Sequence, residues 1–319
     1  MSSPPDYEGS DAVLVALEDV RDFNVDNILP LPVTEIVKIR KWLQPTPYDL
    51  ERSEYSRHRI SHLAGTGKWL TSTTTYQQWH QGNEHGLLWV KGIPGSGKSV
   101  LAASIINQLR KDGMPVIFFF FRQIIDANHQ PVAALRDWLC QLLDYSPLLQ
   151  VKLKGYIDDR RPLNSLSPSD LWKDLKLALA TFPKALVELS QWRPSNVKVL
   201  ITSRPVSIVE NSLRSFSIPQ IRLEEKLADL DIAAYVQYQL RHSSVAPKSW
   251  SVIEKAVPGR ANGLFLYAKL SMDAFLEPGA DAHEVLKALP ADLNVMYNDL
   301  LHEHARRSAV PEDLQLLLL

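Results

Sequence analysis

The sequence predicts an α/β protein: a three-layer αβα domain built on a parallel sheet, followed by a small all-helical domain. Two observations predict this class. Up to about residue 225, short apolar runs typical of strands alternate with segments of helical periodicity, as in parallel sheets whose strands are joined by helices. Beyond that point only helical patterns follow. We therefore expect a partly disordered leader and linker over residues 1–47, the αβα domain with a helical lead-in over 48–225, and the helical domain over 226–319.

Four apolar runs predict the strands because they are short, rich in β-branched or aromatic residues, and bounded by glycine, proline or polar residues. They are residues 86–91, 116–121, 197–202 and 221–223. Apolar residues at helical spacing predict the helices. These are residues 99–110, 131–145, a helix that starts at 167–170 and ends before Pro183, then 184–192, 229–239, 250–257, 263–275, a segment around Leu286, and 296–306. Residues 48–81 form the polar helical lead-in, with aromatic anchors at Trp69, Tyr76 and Trp79.

Length and composition exclude several classes of protein. Hydrophobic residues make up 45% of the 319 residues, which is enough for the cores of about two domains. Lysine and arginine (35) balance aspartate and glutamate (36), so a basic surface for nucleic acid is not expected. No apolar run approaches the ~20 residues of a membrane span. The single cysteine, Cys140, allows no internal disulfide, so we expect a cytoplasmic protein. From the charge balance and the short apolar runs we expect neither nucleic-acid nor membrane partners.

The most informative segment is residues 92–99, which matches G-x-x-x-x-G-K-[ST] in full and lies between a predicted strand and a predicted helix. Glycines let the backbone curl so that its N–H groups point at phosphate oxygens, and the helix dipole adds to the attraction. The lysine of such a loop reaches the β- and γ-phosphates, and the serine ligates Mg²⁺. This predicts a P-loop NTPase fold that binds ATP or GTP with Mg²⁺. The predicted phosphate-binding residues are Gly92, Ile93, Pro94, Gly95, Ser96, Gly97, Lys98 and Ser99, with Ser99 also the Mg²⁺ ligand.

A second stretch, residues 65–68, spells Gly-Thr-Gly-Lys but fails the same motif at both ends. Lys68 is followed by Trp69, and His62 stands where the first glycine is needed. We interpret it as a turn between two helices.

Several segments around the loop form an ordered set: residues 65–70, 76–79, 87–99, 202–205, 258–267 and 289–297. Together, over roughly residues 30–319, they resemble the fungal NACHT-type NTPases with a nephrocystin-like N-terminal domain, a group within the STAND signalling ATPases. The resemblance implies a nucleotide-dependent, NLR-like switch in non-self recognition or cell death, whose partners are further copies or related NLR-like proteins. It also implies that Arg204, after the strand at 197–202, acts catalytically as a sensor of the γ-phosphate.

One part of this machinery is missing from the sequence. Phosphoryl transfer in this class also needs an apolar strand ending in Asp, the Walker B segment, to hold the Mg²⁺ shell and polarise water. Residues 124–126 are too short an apolar run, whereas 142–144 and 185–188 lie in helical patterns. The resemblance places the missing strand where Phe182, Pro183 and Lys184 adjoin. We therefore expect a deletion, nucleotide binding with weak or absent hydrolysis, and a marginal fold, because the neighbouring strands lose ladder hydrogen bonds.

Two other functions stay open. The chain is an active ATPase or GTPase if a displaced carboxylate, such as Asp126, replaces the missing one. It is a truncated, non-switching partner of full-length relatives if it binds them without responding to nucleotide. Residues 311–319 begin a helical pattern and end within it, so we also expect truncation before the winged-helix and repeat domains that the resemblance implies.

Overall fold

The computed structural model describes residues 28–82, 87–121, 130–187, 198–205, 207, 210, 211, 218–223, 225–292 and 295. In chain order the helices are α1 (Val33–Leu43), α2 (Glu54–Ser61), α3 (Lys68–Ser72), α4 (Thr74–Gln81), α5 (Lys98–Lys111), α6 (Pro131–Leu142), α7 (Pro147–Asp158), α8 (Pro168–Val187), α9 (Glu225–Arg241), α10 (Trp250–Ala261), α11 (Phe265–Phe275) and α12 (Ala282–Ala288). The strands are β1 (Leu87–Lys91), β2 (Val199–Ser203) and β3 (Gln220–Arg222). The predicted α/β class with a parallel sheet and a following helical region is confirmed.

The chain divides into two compact units that are interleaved in sequence. Unit 1 consists of Met1–Tyr55 and Met114–Asn196, and unit 2 of Ser56–Gly113 and Val197–Leu319. This division differs from the boundaries predicted at residues 47 and 225, which stay a prediction.

Unit 1 is built from α1, α6, α7 and α8 around a core rich in leucine. Leu43 of α1, Leu139 of α6 and Leu149 of α7 are all fully buried in one apolar cluster. Pro131 and Pro147 each lie in the first turn of their helix, where the missing N–H costs nothing. Part of the predicted linker therefore contributes a core helix, because Ile39 and Leu43 lie four residues apart on one face of α1.

The strand predicted at residues 116–121 is wrong for the described structure, which assigns this segment no regular secondary structure. Its backbone is satisfied differently: the N–H of Phe118 donates to Gln141 Oε1 at 3.0 Å, and Gln141 Nε2 donates to the Phe118 carbonyl at 2.9 Å. Phe118 is buried, as an aromatic run predicts. A side-chain amide thus replaces one pair of ladder hydrogen bonds, which no apolar pattern encodes.

The break predicted at Pro183 is also wrong. A single helix, α8, continues from Pro168 to Val187, where the sequence predicted one helix ending before Pro183 and another starting at Lys184. Proline removes one hydrogen bond of a helix and can bend it without ending it. The remainder of the second predicted helix, residues 188–192, and the predicted helix at 296–306 lie outside the described residues.

Unit 2 contains a parallel sheet in the order β2-β1-β3. The central strand β1 pairs with β2 from Leu87↔Val199 to Lys91↔Ser203, and with β3 from Trp89↔Gln220 to Lys91↔Arg222. Within the described residues, no strand other than β1 pairs with β2. The loss of a strand from the sheet therefore stays a prediction.

One face of this sheet packs against the helices of the lead-in and against α5. The buried residues of this cluster are Leu70, Tyr76, Trp79, Leu88, Val90, Ile105, Ile221 and Leu223, with Trp69 and Leu101 packed at its edge. The predicted aromatic anchors therefore pack in, or at the edge of, the apolar core beside the sheet. We call this portion of unit 2, residues 56–113 and 197–223, the sheet part.

The helical part of unit 2, residues 225–292, has its own core where α9, α10 and α11 meet. Ile232, Val257, Tyr267 and Met272 are fully buried there. Of the helices that the structure describes in either unit, none combines the length and apolarity that crossing a bilayer requires.

Candidate nucleotide-binding loop

The loop of residues 92–99 connects the central strand of the sheet to the start of α5 at Lys98. Gly95 and Gly97 have φ values of 79° and 86°, a left-handed conformation that costs side-chain-bearing residues energy. Gly92 is required for a different reason: a β-carbon there would lie 2.7 Å from Ser96 Oγ and 3.1 Å from Leu223 Cβ. The glycines that the motif demands are therefore each explained by the local geometry.

Hydrogen bonds fix the loop to the neighbouring strand and to itself. The N–H of Gly92 donates to the carbonyl of Ser203, at the end of β2, over 3.2 Å. The Ser96 hydroxyl donates to the carbonyl of Ile93 at 2.8 Å, and the Ser96 N–H reaches the same oxygen at 3.3 Å. The first N–H groups of α5 are left without helical partners, as at every helix start, and carry the positive end of the dipole.

Lys98 turns its ammonium group back over the loop. Its Nζ donates to the carbonyls of Gly92 and Ile93, each at 2.7 Å. Burial and, to a smaller extent, the positive charge of Arg204 together lower its pKa to about 8. Among the described residues, no carboxylate forms an ion pair with Lys98 or with the exposed Arg204. The structure therefore brings together the two cations that the sequence predicted, in a place where an anion would relieve their repulsion.

The residues present fit the phosphates of a nucleotide better than they fit a metal ion held by protein alone. Ser99, the second residue of α5, is half-buried and is the residue to which the motif assigns a Mg²⁺-binding hydroxyl. Within the described ranges, no group of three histidine, cysteine, aspartate or glutamate side chains could hold a metal ion. A Mg²⁺ ion would therefore depend on Ser99 together with phosphate oxygens and water, as is common for this ion.

Of the acidic residues considered for the missing strand, the structure describes only Asp144. Asp126 and Glu188 lie outside the described residues. Asp144 belongs to unit 1, where its carboxylate accepts a hydrogen bond from Arg40 at 2.6 Å in an ion pair.

Backbone contacts from the helical part also reach the loop, and sequence reasoning did not find them. The N–H of Leu266 donates to the carbonyl of Gly95 at 3.1 Å. Gly97 lies against the ring of Phe265, since a β-carbon there would be 3.5 Å from Phe265 Cδ2. Both residues belong to the segment 258–267 used for the resemblance, but a main-chain donor has no sequence signature.

Two comparisons with known proteins agree with this geometry. Residues 65–187, which include the loop, match the family model described as Nephrocystin 3, N-terminal. The chain is also similar to the vegetative incompatibility protein HET-E-1 of Podospora anserina, with 25% identity over 272 residues. These matches confirm the predicted resemblance to fungal NACHT-type proteins.

The extent of the second match limits what it says about the whole relative. It covers 74% of this chain but only 20% of HET-E-1, so the chain spans a small portion of that protein's length. No solved structure matches the chain.

Proposed function

We propose that this NACHT-type chain binds ATP, or GTP, together with Mg²⁺ at residues 92–99, and acts as the nucleotide-responsive part of a cytoplasmic signalling switch. The observation that carries the proposal is a glycine-rich loop at the start of a helix, where the Lys98 ammonium lies over the loop and feels the positive charge of Arg204. Two cations that repel one another, one of them bonded to loop carbonyls and neither in an ion pair with a carboxylate among the described residues, form a site for a polyanion.

Each residue of the site has a distinct role in this proposal. The loop amides and the start of α5 bind phosphate oxygens, Lys98 neutralises the β- and γ-phosphates, and Ser99 ligates Mg²⁺. Arg204, immediately after β2, senses the γ-phosphate and so distinguishes a triphosphate from a diphosphate. The bound ion supplies charge neutralisation of the phosphates.

We further propose that hydrolysis is impaired. The sequence lacks an apolar strand ending in an acidic residue between Ser99 and β2, and this element positions Mg²⁺ and the attacking water in NTPases of this class. A single-turnover assay with radiolabelled ATP decides the point: cleavage that disappears in Lys98→Ala would establish an active NTPase with a displaced carboxylate.

The partners that we propose are further copies of this chain or related NLR-like proteins. The support is the similarity to a vegetative incompatibility protein. Co-purification with such proteins that is unchanged by Lys98→Ala would favour a non-switching partner over a switch.

Equilibrium binding of fluorescent ATP and GTP, with Mg²⁺, tests the central proposal. Lys98→Ala is expected to weaken binding by about 10- to 100-fold, because a charge-assisted hydrogen bond contributes about 1.5–3 kcal/mol. Lys269→Ala is the matched control: Lys269 is exposed, lies on α11 of the same unit, and pairs only with Asp273 among the described residues. Equal binding by wild type and Lys98→Ala would refute the proposed site.

A further inference from the structure

The turn at residues 65–69, which failed the phosphate-loop motif, is bound by a carboxylate from the helical part. Asp231 of α9 accepts two hydrogen bonds on the same oxygen, Oδ2. One comes from the backbone N–H of Gly67 at 2.7 Å, and the other from the indole Nε1–H of Trp69 at 2.9 Å. Both donors are uncharged and fixed in direction, and hydrogen bonds to a charged acceptor are stronger than neutral ones.

The same turn also touches the helix that begins at the nucleotide loop. Gly67 has a φ of 73°, and a β-carbon there would lie 2.3 Å from Cδ2 of Leu101 on α5. Trp69 and Leu101 both pack on the apolar cluster of the sheet part. The turn is therefore held between Asp231 on one side and the first turns of α5 on the other.

A second contact joins the helical part to the loop independently of Asp231. It is the hydrogen bond from the Leu266 N–H to the Gly95 carbonyl at 3.1 Å, with Phe265 against Gly97. The start of α5 is thus approached by α9 through the turn and by α11 through the loop. A displacement of the helical part would have to break both contacts, so it would change the surroundings of Gly95 and Lys98.

We propose that Asp231 is a positioning residue that docks the helical part on the nucleotide loop and thereby couples this docking to nucleotide affinity. Coupling between two such equilibria is reciprocal: if the docked form binds nucleotide more tightly than the undocked form by some factor, bound nucleotide strengthens the docking by that same factor. Loss of docking therefore weakens nucleotide binding by at most that factor. The affinity arm of this inference rests on the proposed nucleotide binding, whereas the docking arm does not.

Hydrogen–deuterium exchange tests the docking arm on the full chain without nucleotide. Asp231→Ala should raise the exchange rate of peptides covering residues 65–72 about tenfold, because the Gly67 amide loses its acceptor. Asp231→Asn keeps an acceptor oxygen without the charge, so its exchange should lie between wild type and Asp231→Ala. Asp273→Ala removes a carboxylate of the same unit that accepts only from the exposed Lys269 among the described residues, and it should leave residues 65–72 unchanged.

Fluorescent-ATP binding by the same variants tests the affinity arm. Asp231→Ala should weaken binding about tenfold, within the usual range of coupling between sites, with Asp231→Asn intermediate and Asp273→Ala equal to wild type. If Asp231→Ala does not fold, Trp69→Phe removes the indole donor while keeping an aromatic ring against the apolar cluster, and it should raise exchange at residues 65–72 and weaken binding in the same direction.

The outcomes separate this inference from the proposed function. Unchanged exchange at residues 65–72 in Asp231→Ala, or in Trp69→Phe where that variant stands in, overturns the docking role. Faster exchange with unchanged affinity overturns the coupling while leaving nucleotide binding intact. Wild type that binds no nucleotide refutes the proposed function and the coupling together, and exchange at residues 65–72 then still decides the docking role.

Discussion

The buried core of unit 1 and the loop at residues 92–99 in unit 2 differ in how their polar side chains are partnered. In unit 1, three buried polar side chains are paired with backbone groups of the same unit. Asp137 accepts from the Thr46 N–H at 2.7 Å, Gln141 binds both backbone groups of Phe118, and Gln150 joins the Leu31 N–H to the Leu143 carbonyl. In the loop of unit 2, Lys98 and Arg204 are instead brought close without a carboxylate partner among the described residues.

This difference distinguishes polar groups that stabilise the fold from polar groups that are available to bind a ligand. A buried polar group that satisfies the backbone stabilises one conformation and leaves no charge for a ligand. A pair of cations at a helix start does the reverse: it costs stability until an anion arrives. We therefore expect substitutions in unit 1 to change the free energy of unfolding, and substitutions at the loop to change binding.

The largest effect on stability is expected at the core of unit 1. Leu139→Ala removes a fully buried side chain and should lower the free energy of unfolding by about 2–5 kcal/mol, while the folded protein keeps its nucleotide affinity. Urea denaturation followed by circular dichroism measures the first, and fluorescent-ATP binding the second. Val252→Ala, at an exposed position of α10, is the control and should cost about 0.5 kcal/mol or less. A loss of nucleotide affinity in folded Leu139→Ala would contradict the expectation that substitutions in unit 1 change stability and not binding.

The next largest effect concerns the buried carboxyl of Asp137. Asp137→Ala leaves the Thr46 N–H and hydroxyl without their acceptors and should cost about 1–3 kcal/mol, whereas Asp137→Asn can still serve both groups and should cost less. Thermal denaturation of both variants at pH 7 measures the difference. Equal losses would show that charge, and not hydrogen bonding, is what matters at this position.

The pH dependence of stability sharpens the same point. Burial raises the pKa of Asp137 to about 6, although the hydrogen bonds from Thr46 oppose the shift. The folded state therefore holds this proton more tightly than the unfolded state. The contribution of protonated Asp137 to the free energy of unfolding is fully present below about pH 4 and is lost as pH rises through about 6. Relative to Asp137→Asn, wild type should lose stability between pH 4 and 6.

The smallest expected effect is the pH dependence of nucleotide binding. The pKa of Lys98 is lowered to about 8, and a bound phosphate favours the ammonium form. At a pH above about 8, Lys98 of the nucleotide-free protein is mostly neutral, so nucleotide binding is accompanied by uptake of a proton. The nucleotide affinity should therefore fall by up to about tenfold per pH unit above pH 8. Titration calorimetry in buffers of different ionisation enthalpy measures the proton uptake. Lys98→Arg, which stays charged, should abolish it; proton uptake that persists in Lys98→Arg would assign it to another group.

Features encoded by neighbouring residues were predictable. The loop at residues 92–99 was found because its glycines, Lys98 and Ser99 follow one another at fixed spacing, and β2, β3, α6 and α10 were found from short apolar runs or helical periodicity. The wrong break at Pro183 was a local error, because a proline can bend a helix without ending it, whereas the error at residues 116–121 came from a partner distant in sequence. Residues 116–121 have the composition of a strand, yet the side chain of Gln141 binds the backbone of Phe118.

The sequence by itself determined the chemistry of the loop, because the curled backbone, the lysine and the following helix all lie within one continuous segment. Only the tertiary structure decided that Arg204 lies near enough to Lys98 to lower its pKa, that Leu266 binds Gly95, and that Asp231 binds the turn at Gly67. These contacts join residues far apart in the chain, and two of the donors are backbone N–H groups that every residue except proline carries. Such groups acquire a role only when the fold brings a matching acceptor within hydrogen-bonding distance.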